Sequence, residues 1–174
     1  MEMEDLNFAD IKALVFDVDG VLSSDVMSLA TDGNPVRTVN VKDGYALQLA
    51  VKCGLYVCII TGAKVESLRR RYESLGIKDI YIASSVKIRD FEEFLNRYSL
   101  RDEEVLYMGD DIPDYQIMMR CGLPCCPSDA VGEIRSISRF ISAFPGGQGC
   151  VRDVVERVLK AKGQWMADEH AFGW

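Results

Sequence analysis

Four short apolar runs, at residues 11–16, 55–60, 80–83 and 105–108, constrain this chain more than any other feature, because each is continuous rather than alternating. A strand with one wet face alternates apolar and polar residues, whereas a strand covered on both faces does not. Amphipathic stretches separate the runs, the pattern of a parallel sheet flanked by helices. The expected fold is therefore α/β, a Rossmann-like three-layer α/β/α arrangement around a central parallel sheet. Residues 125–126 and 140–141 are further short strand candidates.

Helical periodicity fills the gaps. Val65, Leu68, Tyr72 and Leu75 form one apolar stripe, with Gly76 as its expected C-cap. Ile88, Phe91, Leu95 and Tyr98 form a second stripe, and Val151, Val154, Val155 and Val158 a third. Residues 43–53 read as a helix closed by Gly54, and residues 114–121 as one closed by Gly122. All these stripes read as core. Residues 26–41 break the alternation: Asp32 and Gly33 stand between β-prone runs, which predicts a β-hairpin inserted after the first strand. With 174 residues, no repeat and no linker, the chain reads as one domain over 1–162 with a C-terminal tail at 163–174.

Charge and cysteine usage narrow the partners. A formal net charge of −7 argues against general nucleic-acid binding, since a phosphate backbone repels such a surface. No apolar run is long enough to span a bilayer, and the start MEMEDLNFAD is acidic where a signal peptide is basic. A cytoplasmic, membrane-free protein is expected. The six cysteines match no zinc spacing and read as buried reduced thiols. The single histidine, His170, lies near the C-terminus, so acid–base chemistry falls to carboxylates.

The chemistry-bearing residues recur where successive strands end. In a parallel sheet, ligands bind beyond the carboxyl ends of the strands. The first run ends in Asp17-Val18-Asp19-Gly20, two acids that can share a cation and divide two roles, though the same residues also make solvated turns. The second ends in Thr61-Gly62, where a hydroxyl and a free N–H suit phosphate oxygens, and where a strand–helix junction is equally ordinary. Lys87 begins the helix after the third run; an ammonium there suits phosphate, although a lone lysine at a helix start is commonly solvated. The fourth ends in Gly109-Asp110-Asp111-Ile112-Pro113-Asp114, with Asp114 well placed as a helix N-cap. Three acids in one short turn repel each other unless a cation or buried donors relieve them. The set together outweighs the bland readings of its members.

In that order, DVDGV, the threonine, the downstream lysine and GDDIPD resemble the haloacid dehalogenase superfamily of aspartyl-phosphate enzymes, over essentially the whole chain. The resemblance implies a Mg2+-dependent phosphatase in which Asp17 attacks phosphorus and becomes a phosphoaspartate. Asp19 would protonate the leaving alcohol and then deprotonate the hydrolytic water. Thr61, Gly62 and Lys87 would bind the phosphoryl oxygens. Mg2+ would be held by Asp17, the backbone carbonyl of Asp19, and Asp110, with Asp111 and Asp114 in support. The intervals between the motifs leave no room for a cap domain, so hydrolysis is favoured over phosphotransfer or a mutase reaction. A phospho-accepting receiver module places its aspartate after the third strand, not the first. An inactive scaffold is the remaining rival, and the intact acids weigh against it.

Finer resemblance concerns the hairpin followed by VNVKDGYALQLA, the helix SLRRRYESLGI, and FPGGQGCVRDVVERVL. These are similar to the 3-deoxy-D-manno-octulosonate 8-phosphate phosphatase subfamily, homotetramers whose hairpins assemble centrally and whose subunits complete one another's sites. The implied substrate is a small phosphorylated sugar acid. Asp43 and Gly44 would face the site, and Arg71 would reach substrate across an interface; a solvated helix face is the competing reading of Arg71. Ala63 and Gln148 stand where many members carry arginine, which keeps a nine-carbon ulosonate 9-phosphate open as substrate. The tail, with Trp165 and Trp174, is expected to gate or dock at a neighbouring site.

Overall fold

A computed structural model describes residues 6–174; the opening five residues of the acidic start lie outside it. The first apolar run becomes β1 (Ala13–Phe16), every residue of which is buried. Then come a hairpin of β2 (Ser28–Leu29) and β3 (Pro35–Val36), helix α1 (Val41–Lys52), β4 (Tyr56–Ile60), α2 (Glu66–Glu73), β5 (Asp79–Tyr81) and α3 (Lys87–Tyr98). The second half contains β6 (Val105–Met108), α4 (Tyr115–Met118), β7 (Leu123–Cys126), α5 (Gly132–Ile137), β8 (Phe140–Ile141) and α6 (Cys150–Ala161).

Apart from the hairpin, the strands form one parallel sheet in the order β5-β4-β1-β6-β7-β8. Successive strand residues point to opposite faces, and the core divides accordingly. Leu14, Phe16, Ile59 and Met108 pack with side chains of α1, α2 and α6. Ala13, Val15, Cys58 and Tyr107 pack with α3, α4 and α5 on the other face. This is the expected three-layer sandwich. Burial on both faces explains why the strand runs do not alternate. No described helix is long and apolar enough to cross a membrane.

Chain order reverses at β1. The chain leaves β1 toward β4 and β5, then returns to add β6 on β1's other side. Such a switch point opens a crevice at the carboxyl edge, because the connections on either side run away from it.

Several local expectations change in the structure. The hairpin ladder spans only two residues per strand, closed through Ala30 and Asn34 around Gly33 at φ +83°. The remainder of residues 26–41 is irregular, and Thr38 N–H donates to Ser23 Oγ instead of to a ladder partner. Helix 114–121 shrinks to the four residues of α4, preceded by a 3-10 turn at Ile112–Asp114. Asp114 makes no capping bond; Asp111 accepts from Ile112 N–H instead. Gly122 is not left-handed: a Cβ there would meet the Glu103 backbone at 2.5–2.7 Å, so close approach requires this glycine. Gly54 and Gly76 do end their helices with φ of +84° and +86°.

The described cysteines are all free, and only Cys53 is not fully buried. The tail lies along its own chain. Trp165 and Trp174 meet the Tyr45 ring edge-on, Tyr45 Oη donates to the Ala171 carbonyl, and Ala171 is buried.

Candidate active site

Asp17 directly follows β1, Thr61 directly follows β4, and Asp110 lies two residues beyond β6, so three parallel strands deliver their motifs to one edge. They line a cavity of about 430 Å3 with Asp19, Gly62, Lys87 and Asp111. Asp25, Ala63, Ser84 and Ser85 complete much of the wall. Thr61 is fixed by its own N–H to the Tyr81 carbonyl, and its Oγ1 accepts from Ala63 N–H.

Lys87 is not solvated. It is 7% exposed, and its Nζ lies 2.8 Å from Asp17 Oδ2 and 2.7 Å from Asp114 Oδ1. Burial alone lowers an ammonium's pKa, but the two carboxylates outweigh it and hold Lys87 above its usual value. Asp114 is fully buried and also accepts from Tyr107 Oη at 2.6 Å and from Asp110 N–H at 3.1 Å. Its carboxylate thus joins the lysine to the acidic turn, which is why it does not cap α4.

The acids crowd one another. Carboxylate oxygens of Asp17, Asp110 and Asp114 lie within 4.8 Å of each other. Desolvation, reinforced by Asp114 and opposed by Lys87, raises the Asp17 carboxyl to about 7. Desolvation with the charges of Asp17 and Asp114 raises Asp110 to about 8. Asp110 Oδ1 is buried without a hydrogen-bond partner. A buried, unpartnered carboxylate oxygen beside two further carboxylates is the donor set a hard divalent cation takes, and the residues therefore fit Mg2+. Asp111 is an exposed part of the cavity wall, and its Oδ1 accepts from Ile112 N–H.

Glycines set this geometry. Gly20, at φ +84°, lets Asp110 approach; a Cβ there would lie 1.9 Å from Asp110 Oδ2. A Cβ on Gly146 would lie 2.0 Å from the Gly20 carbonyl, and Gly147 N–H donates to the Val21 carbonyl at 2.8 Å. The late FPGGQG segment is thus the support on which the Asp17–Gly20 turn rests.

Asp43, Gly44 and Arg71 do not line this cavity. Asp43 is 1% exposed, and its Oδ1 accepts from Arg152 N–H at 2.7 Å, at the start of α6. The Arg71 guanidinium lies against Gly44, where a Cβ would meet Nη2 at 2.6 Å. Gln148 faces a separate groove between residues 38–42 and α6. One residue escaped the sequence reading altogether. Arg37 binds Asp19 through Nε to Oδ1 at 2.6 Å and Nη2 to Oδ2 at 2.7 Å. No spacing signals it, because an irregular hairpin arm carries it across 18 positions.

A parallel α/β sheet with no cap domain, presenting this aspartate–threonine–lysine–aspartate edge, defines the haloacid dehalogenase class of phosphatases. No protein-family model matches the chain. The 3-deoxy-D-manno-octulosonate 8-phosphate phosphatase KdsC of Escherichia coli is 34% identical over 155 residues, 89% of this chain and 82% of that protein. The crystal structure of the phosphatase of that name from Yersinia pestis superposes with a TM-score of 0.87 at 32% identity, covering 91% of this chain and 85% of the other. The Moraxella catarrhalis phosphatase, solved in complex with a magnesium ion, a phosphate ion and KDO, gives a TM-score of 0.89 at 29% identity, with 96% of each chain covered. The chain belongs to the 3-deoxy-D-manno-octulosonate 8-phosphate phosphatase family.

Proposed function

We propose that this chain hydrolyses 3-deoxy-D-manno-octulosonate 8-phosphate to the free sugar acid and phosphate, a step toward lipopolysaccharide precursors. The observation that carries the reading is the cluster of Asp17, Asp110 and Asp114 around Lys87 at the sheet's switch point. An Asp17 carboxylate oxygen attacks phosphorus, the bond from phosphorus to the sugar oxygen breaks, and Asp19 gives that oxygen its proton. Water then attacks the phosphoaspartate and loses its proton to Asp19, which regenerates Asp17 and releases phosphate. Lys87, Thr61 and the Gly62 backbone bind the phosphoryl oxygens throughout.

Asp17, the Asp19 carbonyl and Asp110 would hold Mg2+, with Asp114 and Asp111 behind them. Bound there, the cation would neutralise the crowded carboxylates and the charge on the phosphoryl group. Support comes from the unpartnered Asp110 oxygen and from the magnesium in the Moraxella structure.

We assign a homotetramer to the chain, with the domain at 1–162 and the tail at 163–174 as its parts. Val26, Leu29, Val36, Val39 and Val41 are exposed on and beside the hairpin, apolar surface that a second copy would cover. In that assembly Arg71, Asp43 and Gly44 would serve a site completed between subunits, and the tail would close over it. Free, largely buried thiols fit a cytoplasmic setting. Removing residues 163–174 tests the tail: unchanged turnover, affinity and assembly would count against its role.

The deciding experiment measures phosphate release with Mg2+ from 3-deoxy-D-manno-octulosonate 8-phosphate, a nine-carbon ulosonate 9-phosphate and hexose phosphates, with Asp17→Asn as control. Preference for the eight-carbon acid, lost in the variant, is expected. The uncharged Ala63 in the cavity wall favours retaining the nine-carbon acid as the second reading. Preference for it would keep the mechanism and replace the substrate.

A further inference from the structure

Both oxygens of Asp19 are occupied by one guanidinium. Arg37, directly after β3, binds Asp19 of the cavity wall through Nε at 2.6 Å and Nη2 at 2.7 Å. Its side chain is only 10% exposed, whereas that of Asp19 is 35% exposed. A planar, two-point pairing of this kind is the strongest form of arginine–carboxylate contact. Yet Asp19 is the carboxylate that has to meet the leaving oxygen.

The charge of the cavity sharpens the problem. Its described wall carries Asp17, Asp19, Asp25, Asp110 and Asp111 against one lining cation, Lys87. Lys87 is already shared between Asp17 and Asp114. A phosphorylated sugar acid brings a carboxylate of its own into this field, and like charges in a poorly hydrated site repel. Arg37, held on a residue of the cavity wall, brings a second cation to its edge and is engaged with a group that must be released.

We propose that Arg37 is the specificity residue for the substrate's carboxylate, its guanidinium exchanging Asp19 for that group on binding. The exchange replaces one two-point pair with another, so little interaction is lost, and it frees Asp19 for the leaving oxygen. A phosphorylated sugar without a carboxylate offers Arg37 no second partner and leaves Asp19 engaged. Discrimination then arises from which group can open the pair, not from the shape of the cavity. This inference rests on the reading above, in which Asp19 serves the leaving group and the substrate is a sugar acid.

The test compares kcat/KM for 3-deoxy-D-manno-octulosonate 8-phosphate and for D-ribose 5-phosphate, which has no carboxylate. Wild type, Arg37→Ala and Arg37→Lys are assayed as full chains with Mg2+. The acid-to-neutral ratio is expected to fall about 10- to 100-fold in Arg37→Ala, the range set by losing a charged hydrogen-bonded pair. It falls less in Arg37→Lys, because an ammonium keeps the charge but not the planar fork. A ratio unchanged in Arg37→Ala overturns the proposal even if both rates drop, since an arginine needed only for folding lowers both substrates together. A wild type with no preference for the acid is a separate result: it removes the sugar-acid reading, and this proposal with it.

Discussion

The carboxylate of Asp110 occupies the space that a side chain on Gly20 would need: a Cβ there would lie 1.9 Å from Oδ2. The turn after β1 and the turn after β6 are therefore interlocked, and the spacing of the two acidic motifs depends on a missing side chain. Gly20→Ala has to displace Asp110 as well as adopt φ +84°. A displacement of about 1 Å at such a site costs on the order of 100-fold in rate, so kcat is expected to fall at least that far. Gly33→Ala is the control. It shares the left-handed backbone, with φ +83°, but meets nothing within 4 Å, and is expected to cost only about 1 kcal/mol of stability. Equal losses of activity in the two variants would refute the interlock.

Lys87 separates two buried carboxylates, Asp17 and Asp114. Removing one partner from a buried ionic set leaves uncompensated charge, which costs about 3–5 kcal/mol. Lys87→Met, close in volume but uncharged, is expected to lower the melting temperature in EDTA and to recover part of it with Mg2+. Its kcat is expected to fall about 100- to 1000-fold, the scale for losing one preorganised charge at a reacting oxyanion. Thermal unfolding with and without Mg2+ measures the first effect, and steady-state phosphate release the second.

The raised carboxyls make the metal-free protein sensitive to alkali. Asp17 at about 7 and Asp110 at about 8 hold protons more tightly in the folded state than at their ordinary value of 3.8. Their contribution to stability is thus fully present below pH 3.8 and is lost as pH rises through 7 to 8. In EDTA the melting temperature is expected to decline between pH 5.5 and 8.5, a loss on the order of a few kcal/mol. Mg2+ at saturation supplies the missing counter-charge and flattens that decline. A slope that Mg2+ leaves unaltered would mean that these acids do not bind it.

The strands and the gathering of the acidic motifs at one edge were legible because both follow from local sequence. A strand buried on two faces cannot avoid a continuous apolar run, and a parallel sheet cannot avoid presenting Asp17, Thr61 and Asp110 at one edge. What stayed hidden depends on contacts between distant segments. Nothing around Asp114 distinguishes a helix cap from the carboxylate that joins Lys87, Tyr107 and the Asp110 N–H. Gly122 looked like a helix terminator, whereas its need is clearance for the Glu103 backbone. Arg37 sits in a stretch whose hairpin signal was real but whose ladder is two residues long. Its partner is fixed by how the irregular arm folds back, and propensity does not encode that.

Asp43 tests whether a buried carboxylate beside the site contributes charge or only hydrogen bonds. It joins α1 to the first turn of α6: Oδ1 accepts from Arg152 N–H, while Oδ2 is buried without a partner. Donors at a helix N-terminus favour the ionised form, yet burial dominates and raises this carboxyl to about 6. A raised carboxyl stabilises the fold below its ordinary 3.8 and loses that contribution as pH climbs through 6. Asp43→Asn keeps an accepting oxygen for Arg152 but has nothing to titrate. The variant's stability relative to wild type is expected to rise by about 1 kcal/mol between pH 5 and pH 8. Urea denaturation at the two pH values reads this directly. A variant that instead loses stability relative to wild type as pH rises would show that the helix terminus needs the negative charge, making Asp43 an electrostatic cap whose ionised form outweighs its burial.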